Sequence, residues 1–506
     1  MAVARTLAVA LHGVDGSIVE IEADLANGLP AFTIIGLPDT ALGEAKDRVR
    51  SAATNSGCDL PTRKVTVNLS PASLPKHGSG FDLGIAVAAL ATTGVVSAEA
   101  IAAVVHLGEL SLDGRLRPVA GVLPAVLAAR RAGARAVVVP SGNAAEAGLV
   151  PGIRVIGAAS LRDVLIGHGA ALDPVPVEAL AAPEPGPAPL DGGDLADVVG
   201  HPEAVEALQV AAAGGHHMLM LGPPGAGKTL LASRLPGLLP DLEPDAAVEV
   251  SSIRSLAGLP LGSSLVTRPP LEAPHHSATM AALVGGGSGL VRPGAISRAA
   301  HGVLFLDEAP EFAGAVLDAL RQPLETGEIT IHRARTVARF PARFQLVLAA
   351  NPCPCGHGGG DECTCTAMMR RRYLGRLSGP LLDRIDLHLT VRRVGVAQMT
   401  EGAPGALTTA QARARVLEAR RRGRERWGDQ GWSLTAHVPG PALRSPRWRL
   451  AAADRAALDR ALERGALTMR GYDRVLRVAW TLADLDGADR PSADHLGRAL
   501  YLRKGI

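Results

Sequence analysis

A glycine-rich turn set between an apolar strand and a helix start restricts this chain more than any other feature. His217-Met218-Leu219-Met220-Leu221 runs into Gly222-Pro223-Pro224-Gly225-Ala226-Gly227-Lys228-Thr229, and Leu230-Leu231-Ala232-Ser233-Arg234 follows. The glycines let backbone N–H groups turn inward around phosphate, at a helix N-terminus that already favours anions. Lys228 is placed to reach the β- and γ-phosphates, and the Thr229 hydroxyl to ligate Mg²⁺.

A second strand, Gly302-Val303-Leu304-Phe305-Leu306, ends in Asp307-Glu308. On its own, an apolar run ending in two acids is more often a strand end at the surface. After a phosphate loop, it puts Asp307 beside Mg²⁺ and Glu308 where it polarises an attacking water. ATP hydrolysis is the reaction these residues suit. A third strand, Phe344 to Ala350, ends at Asn351. In a parallel sheet beside the Asp307 strand, Asn351 orients the lytic water; the alternative is a turn-forming residue before Pro352. Arg384 and Arg470 are candidate γ-phosphate contacts, since an arginine there stabilises transition-state charge. Forty-seven of the 52 basic residues are Arg, so ordinary surface arginines remain the alternative.

The 506 residues make two to four domains at about 100–200 residues each. The clearest boundary is the Pro/Ala-rich stretch 171–193, which has no hydrophobic period and reads as a semi-rigid linker. Upstream, strand candidates (Val65 to Leu69, Ala136 to Val139) alternate with helical stretches (Thr40 to Ser56, Asp82 to Ala91, Val119 to Ala132), as in a mixed α/β domain over 1–170. Residues 194–398 carry the strand–loop–helix signals of the ATPase core. Beyond 399 helices dominate, notably Thr408 to Trp427 and Ala451 to Arg464. The net charge of +3 is too small to imply a polyanion by itself, and the basic excess lies in 399–506. No apolar run approaches about 18 residues; Gly84 to Val96 reads as a buried helix, not a membrane span. With no cleavable leader in sight and four of five cysteines packed between 353 and 365, the expectation is a soluble, cytoplasmic protein.

Beyond these motifs, Ala273-Pro274-His275-His276-Ser277, Arg292 to Ser297, Ala349 to Gly356 and Leu377 to Leu387 make the chain resemble the magnesium-chelatase-like AAA+ ATPases. Within them the match is to the YifB/ComM subfamily, over nearly the whole chain. The resemblance implies a homo-hexameric ring with ATP between subunits and a helical C-terminal lid over 399–506. It casts Asn351 as sensor 1, Arg384 as the arginine finger acting on a neighbour's ATP, and Arg470 as sensor 2. It also implies a DNA helicase that drives branch migration in natural transformation. The alternatives are a motor that loads Mg²⁺ into protoporphyrin and a protein-remodelling ATPase; all three share the same ATP chemistry.

Residues 5–168 resemble the Lon protease domain, a ribosomal S5 domain 2-like fold, through Pro75-Lys76-His77-Gly78-Ser79-Gly80 and Gly108 to Gly121. That alignment puts Gly80 at the nucleophilic serine and Leu123 at the activating lysine. Ser79 stands one residue away without a lysine in 121–125, so a scaffold is expected rather than a protease.

Two further features carry chemistry. Cys353, Cys355, Cys363 and Cys365 suit tetrahedral Zn²⁺, with His357 as a substitute ligand and reduced surface thiols as the alternative. Ile329 to Val337 reads as a β-hairpin whose tip bears Arg333 and Arg335. In related ring helicases such a hairpin projects into the pore, where these arginines would grip DNA phosphates, single-stranded or branched. Arg370, Arg371 and Arg372 are further candidate contacts. For both groups a solvated basic face is the bland alternative.

Overall fold

The computed structural model describes residues 3–36, 44–180, 192–287, 290–332, 337–358, 362–395 and 406–504. Alternation builds the first sheet: in Lys64–Ser70 the residues Val65, Val67 and Leu69 point into the core while their neighbours do not, which is the period-2 signature of a one-sided strand. Val3–His12 and Asp15–Ala26 form a long antiparallel pair, turning at Gly13 with φ +67°. Seven strands result, in the order Ala31–Ile35, Lys64–Ser70, Asp15–Ala26, Val3–His12, Val104–His106, Ala136–Pro140, Arg154–Ala158. Helix Asp82–Ala91 is buried along its whole length and packs on strands Val3–His12 and Asp15–Ala26. The apolar run around Gly84 is therefore core. No described helix is long and apolar enough to cross a membrane.

The second sheet is parallel throughout its five strands. Its order is Leu271–Glu272, Val303–Leu306, Gln345–Ala350, Met218–Leu221, Leu387–Thr390. Strands buried on both faces read as unbroken apolar runs, as VLFL and QLVLAA do. The strand carrying the phosphate loop thus lies one strand away from the strand ending at Asp307, with Gln345–Ala350 between them. Hairpin strands Glu328–His332 and Val337–Pro341 pair antiparallel, as expected; Arg333 and Arg335 at its tip lie outside the described residues.

The C-terminal part is helical: Thr409–Trp427, Ala452–Glu463, Met469–Asp486 and Ala493–Lys504. All four tryptophans of the chain meet there. Trp427 and Trp480 are fully buried, 5.5 Å apart edge-on, and Trp448 stands 4.7 Å from Trp427.

The first sheet's unit is docked on the second. Helix Val122–Arg131 packs against helix Pro244–Leu256, and the Gly121 amide donates to the Ser255 carbonyl at 3.0 Å. Buried Glu146 accepts from the Ser255 hydroxyl and from the Leu123 amide. Burial pushes its carboxyl up, against the pull of these bonds. Gly13 bridges to Arg339 midway along the second hairpin strand, so the hairpin is anchored to the N-terminal unit. Leu256, fully buried, packs with Val291, Ala338 and Phe340 against Leu11 and Val14. Replacing Leu256 by Ala is expected to destabilise this junction by about 2–5 kcal/mol, seen as an earlier denaturant transition. A shift inside about 0.5 kcal/mol, the size of an exposed substitution, would mean the two units are not packed together.

Candidate functional site

At the end of Met218–Leu221 the chain has no room for side chains. A Cβ on Gly222 would lie 2.2 Å from the Val391 carbonyl oxygen. Gly225 and Gly227 take φ of +77° and +86°, the left-handed region that aims successive amides at one point. Helix Lys228–Leu238 begins immediately after.

Five expected residues converge here. The Lys228 ammonium donates to the carbonyls of Gly222 at 2.7 Å and Pro223 at 3.0 Å, and to Asn351 Oδ1 at 3.1 Å. Burial lowers its pKa, while Asp307 and Glu308 work in the opposite direction. Thr229 Oγ1 donates to Asp307 Oδ2 at 2.7 Å. Two oxygens that share an octahedral Mg²⁺ stand about 3 Å apart, given Mg–O bonds of about 2.1 Å, so this hydroxyl–carboxylate pair fits that ion. Asn351 reaches Lys228 because its strand lies between the other two.

Glu308 adopts φ +49°, ψ +44°, a conformation that costs a non-glycine residue about 1–3 kcal/mol and persists only where neighbours impose it. Its amide donates to Asp307 Oδ1 at 2.9 Å, and its carboxylate lies 3.2 Å from His276 Nδ1. His276 in turn stacks on His275 at 4.0 Å between ring centroids. A contact between His276 and the acid was not foreseen. Its one sequence signal was the pair of adjacent histidines in the loop after Leu271–Glu272.

Comparison with known proteins accords with this geometry. The family described as "Magnesium chelatase, subunit ChlI" matches residues 194–399, "Subunit ChlI of Mg-chelatase" matches 21–143, and "Magnesium chelatase, subunit ChlI C-terminal" matches 406–503. An uncharacterized protein of Mycobacterium tuberculosis is 50% identical over 100% of this chain and 99% of its own length. Competence protein ComM of Haemophilus influenzae is 43% identical over 99% of this chain and 98% of its own. The uncharacterized protein YifB of Escherichia coli is 40% identical over 97% and 95%. The chain belongs to the YifB/ComM family of magnesium-chelatase-like AAA+ proteins. By contrast, the magnesium-chelatase 38 kDa subunit of Rhodobacter capsulatus is 28% identical and covers 56% of this chain.

The two arginines that the YifB/ComM resemblance singles out form a separate group. Arg384 is ion-paired with Glu325 and donates to the Pro380 carbonyl at 2.5 Å. Burial, Arg470, Arg474 and Arg321 lower its pKa. Arg470 is largely exposed, 3.8 Å from Asp383. Among the basic helix residues, Arg371 and Arg372 are exposed, whereas Arg370 donates to the Cys365 carbonyl at 3.3 Å. The same helix, Ala367–Leu374, ends on the acidic turn after Glu308: Arg376 bonds the Pro310 carbonyl at 3.0 Å and Glu311 at 3.1 Å.

Between the phosphate-loop strand and the lid sits a buried charge network that sequence reasoning missed. Asp386, 1% exposed, is ion-paired with Arg474 of the C-terminal helix Met469–Asp486. It also lies 3.1 Å from His216 Nδ1, and His216 Nε2 is 2.8 Å from the Thr481 hydroxyl. Burial pushes the Asp386 carboxyl up, but the Arg474 charge and the His216 bond overrule it and hold the group well below its ordinary range. Nothing in the sequence marked this trio, whose members are scattered across 216, 386 and 474.

A carboxylate whose pKa falls on folding contributes stability above its unfolded pKa and loses it as pH drops through the folded value. Arg474→Ala should therefore cost about 3–5 kcal/mol at neutral pH, as an unpaired buried charge does. The unfolded carboxyl is the same in both proteins and cancels, so the deficit should narrow as pH is lowered from 7 through the pKa of the variant's Asp386, which burial without Arg474 raises. Denaturant melts of both proteins across this range check it; a deficit that does not narrow in acid would mean Asp386 is not the partner.

Proposed function

We propose that this protein is an ATP-hydrolysing ring motor that acts on DNA, a helicase of the ComM kind promoting branch migration in homologous recombination and natural transformation. The observation that carries it is the meeting of Lys228, Thr229, Asp307, Glu308 and Asn351 at one glycine turn, in a chain that aligns end to end with a competence protein. The magnesium-chelatase 38 kDa subunit aligns with only 56% of this chain, against 99% for the competence protein, which favours the DNA reading over metal insertion.

In this reading, ATP phosphates enter the turn formed by Gly222, Pro223, Pro224, Gly225, Ala226 and Gly227, whose prolines carry no N–H, so the donors are the amides from Gly225 onward. Lys228 exchanges its carbonyl partners for the β- and γ-phosphates. Thr229 and Asp307 hold Mg²⁺, which when bound draws charge from the phosphate oxygens. Glu308 leaves His276 to accept the proton of the attacking water, and Asn351 turns from Lys228 toward that water. Arg384 acts on the ATP of a neighbouring subunit, which requires release from Glu325 and assembly of a homo-hexamer; Arg470 follows the lid. A structural Zn²⁺ on Cys353, Cys355, Cys363 and Cys365 completes the cofactor set.

The N-terminal unit serves as a scaffold without protease activity. Its Ser79 hydroxyl bonds Glu109. Lys76 is buried with its ammonium shared among the carbonyls of Gly36, Leu69 and Pro71. Leu123 is buried where the resemblance would need a lysine. The four segments of this reading are the scaffold 1–170, the linker 171–193, the core 194–398 and the lid 399–506.

Two measurements bear on the proposal. Lys228→Ala and Glu308→Gln should each abolish ATP turnover, with Glu308→Gln still binding ATP; retained hydrolysis in either would mean the site is misassigned. ATPase rate should rise several-fold with single-stranded or four-way-junction DNA. That rise should fall as salt increases, because phosphate contacts release counterions, and vanish in Arg333→Ala/Arg335→Ala. An intact basal rate that DNA does not change would turn the assignment to a chelatase-type or protein-remodelling motor.

A further inference from the structure

The four clustered cysteines occupy the loop between strand Gln345–Ala350 and helix Ala367–Leu374, and all are unbridged. Their four sulfurs lie within 4.8 Å of one another. Cys353 Sγ is 3.3 Å from Cys355 Sγ and 3.8 Å from Cys363 Sγ, and Cys355 Sγ is 3.6 Å from Cys363 Sγ. Four sulfurs bonded at about 2.3 Å to one tetrahedral ion are separated by about 3.8 Å. The set is spaced for a single ion and leaves no room for a polynuclear iron–sulfur core. A backbone donor is aimed at these sulfurs. The Gly358 amide donates to Cys353 Sγ at 3.3 Å. Such an outer bond holds a thiolate ligand in place. His357 itself pairs with Glu362 at 3.4 Å, and the four sulfurs complete a tetrahedral set without its ring.

What this knuckle touches gives it a role beyond holding a metal. Gly356, at its first turn with φ +85°, packs so closely on the phosphate loop that a Cβ there would lie 2.6 Å from Pro224 Cδ. Two residues before the first cysteine, Asn351 bonds Lys228. After the last, Arg370 bonds the Cys365 carbonyl and Arg376 grips the turn that follows Glu308. The loop is therefore pressed on the nucleotide turn and tethered at both ends to residues of that site.

We propose that Cys353, Cys355, Cys363 and Cys365 bind one Zn²⁺ and that the closed knuckle is a wall of the nucleotide site, so that metal occupancy sets nucleotide affinity. The metal replaces a short, glycine-rich loop's conformational freedom with one shape, and that shape is the surface on which Pro224 rests. This rests on reading Gly222–Thr229 as the nucleotide turn, and is independent of whether the motor acts on DNA.

Full-length protein purified without chelator should contain one zinc per chain. Removing it with a chelator selective for zinc over Mg²⁺ should weaken binding of a fluorescent ATP analogue by about tenfold, or roughly 1.4 kcal/mol, and one equivalent of Zn²⁺ should restore it. Cys363→Ser should lose the metal. Gly356→Ala should keep the metal yet weaken the analogue by a similar factor, since the thiols are intact and only the seat of Pro224 is disturbed. Fluorescence of the four lid tryptophans verifies that each preparation is folded. Zinc far below one per chain overturns the metal site; full zinc with affinity unchanged by its removal overturns the coupling. Lys228→Ala tests the underlying reading separately: loss of analogue binding with zinc retained upholds it, and undiminished binding refutes it.

Discussion

Strand Gln345–Ala350 pairs with Met218–Leu221 along one edge and Val303–Leu306 along the other, and every feature of the site depends on that double ladder. Parallel strands place their C-terminal ends at the same edge of the sheet. The phosphate turn, the Asp307-Glu308 pair and Asn351 therefore emerge side by side from three strands far apart in sequence. Gln345 secures the start of the central strand: its amide donates to the Ala211 and His216 carbonyls at 2.9 and 2.7 Å, in a fully buried setting. A buried polar group so satisfied specifies position, because any slip would leave it unpaired at a cost of about 1–3 kcal/mol.

The opposite edge, where these parallel strands begin, is in contact with the C-terminal helices. Asp386, just before strand Leu387–Thr390, meets Arg474 of the lid and His216 at the foot of the phosphate-loop strand. Arg474 also donates to the Arg384 carbonyl at 3.1 Å, so the backbone that carries Arg384 is held by a lid residue. A displacement of the lid would disturb a buried ion pair, whose geometry is steep in energy once water is excluded. The Arg474 bond ties the backbone that carries Arg384 to the C-terminal helices.

How much of this was legible beforehand varies by residue in an instructive way. The glycine turn, Lys228, Thr229 and the Asp307-Glu308 strand end were readable because each is a local requirement: amides that converge, a cation, a hydroxyl, two acids after an apolar run. Helix Asp82–Ala91 and the helices after 408 were readable from period and composition, and the structure places them within a residue or two. The zinc-spaced sulfurs were suggested by count alone. His276 on Glu308, Pro224 under Gly356 and the trio around Asp386 were not, because each is a contact between segments that no local pattern links.

By itself, then, the sequence determined the groups available to the chain: a glycine turn between strand and helix, a lysine and a hydroxyl after it, two acids after an apolar strand, four thiols within one loop, and a helical C-terminal part. These follow from short-range rules of backbone conformation and side-chain type. Only the tertiary structure decided which groups meet. The order of five parallel strands brings Asn351 between Lys228 and the acids, and the docking of the cysteine loop puts Gly356 on Pro224. Burial leaves Asp386 with Arg474 and His216 as its partners. Such pairings depend on strand order and on the exclusion of water, which arise only when distant segments pack.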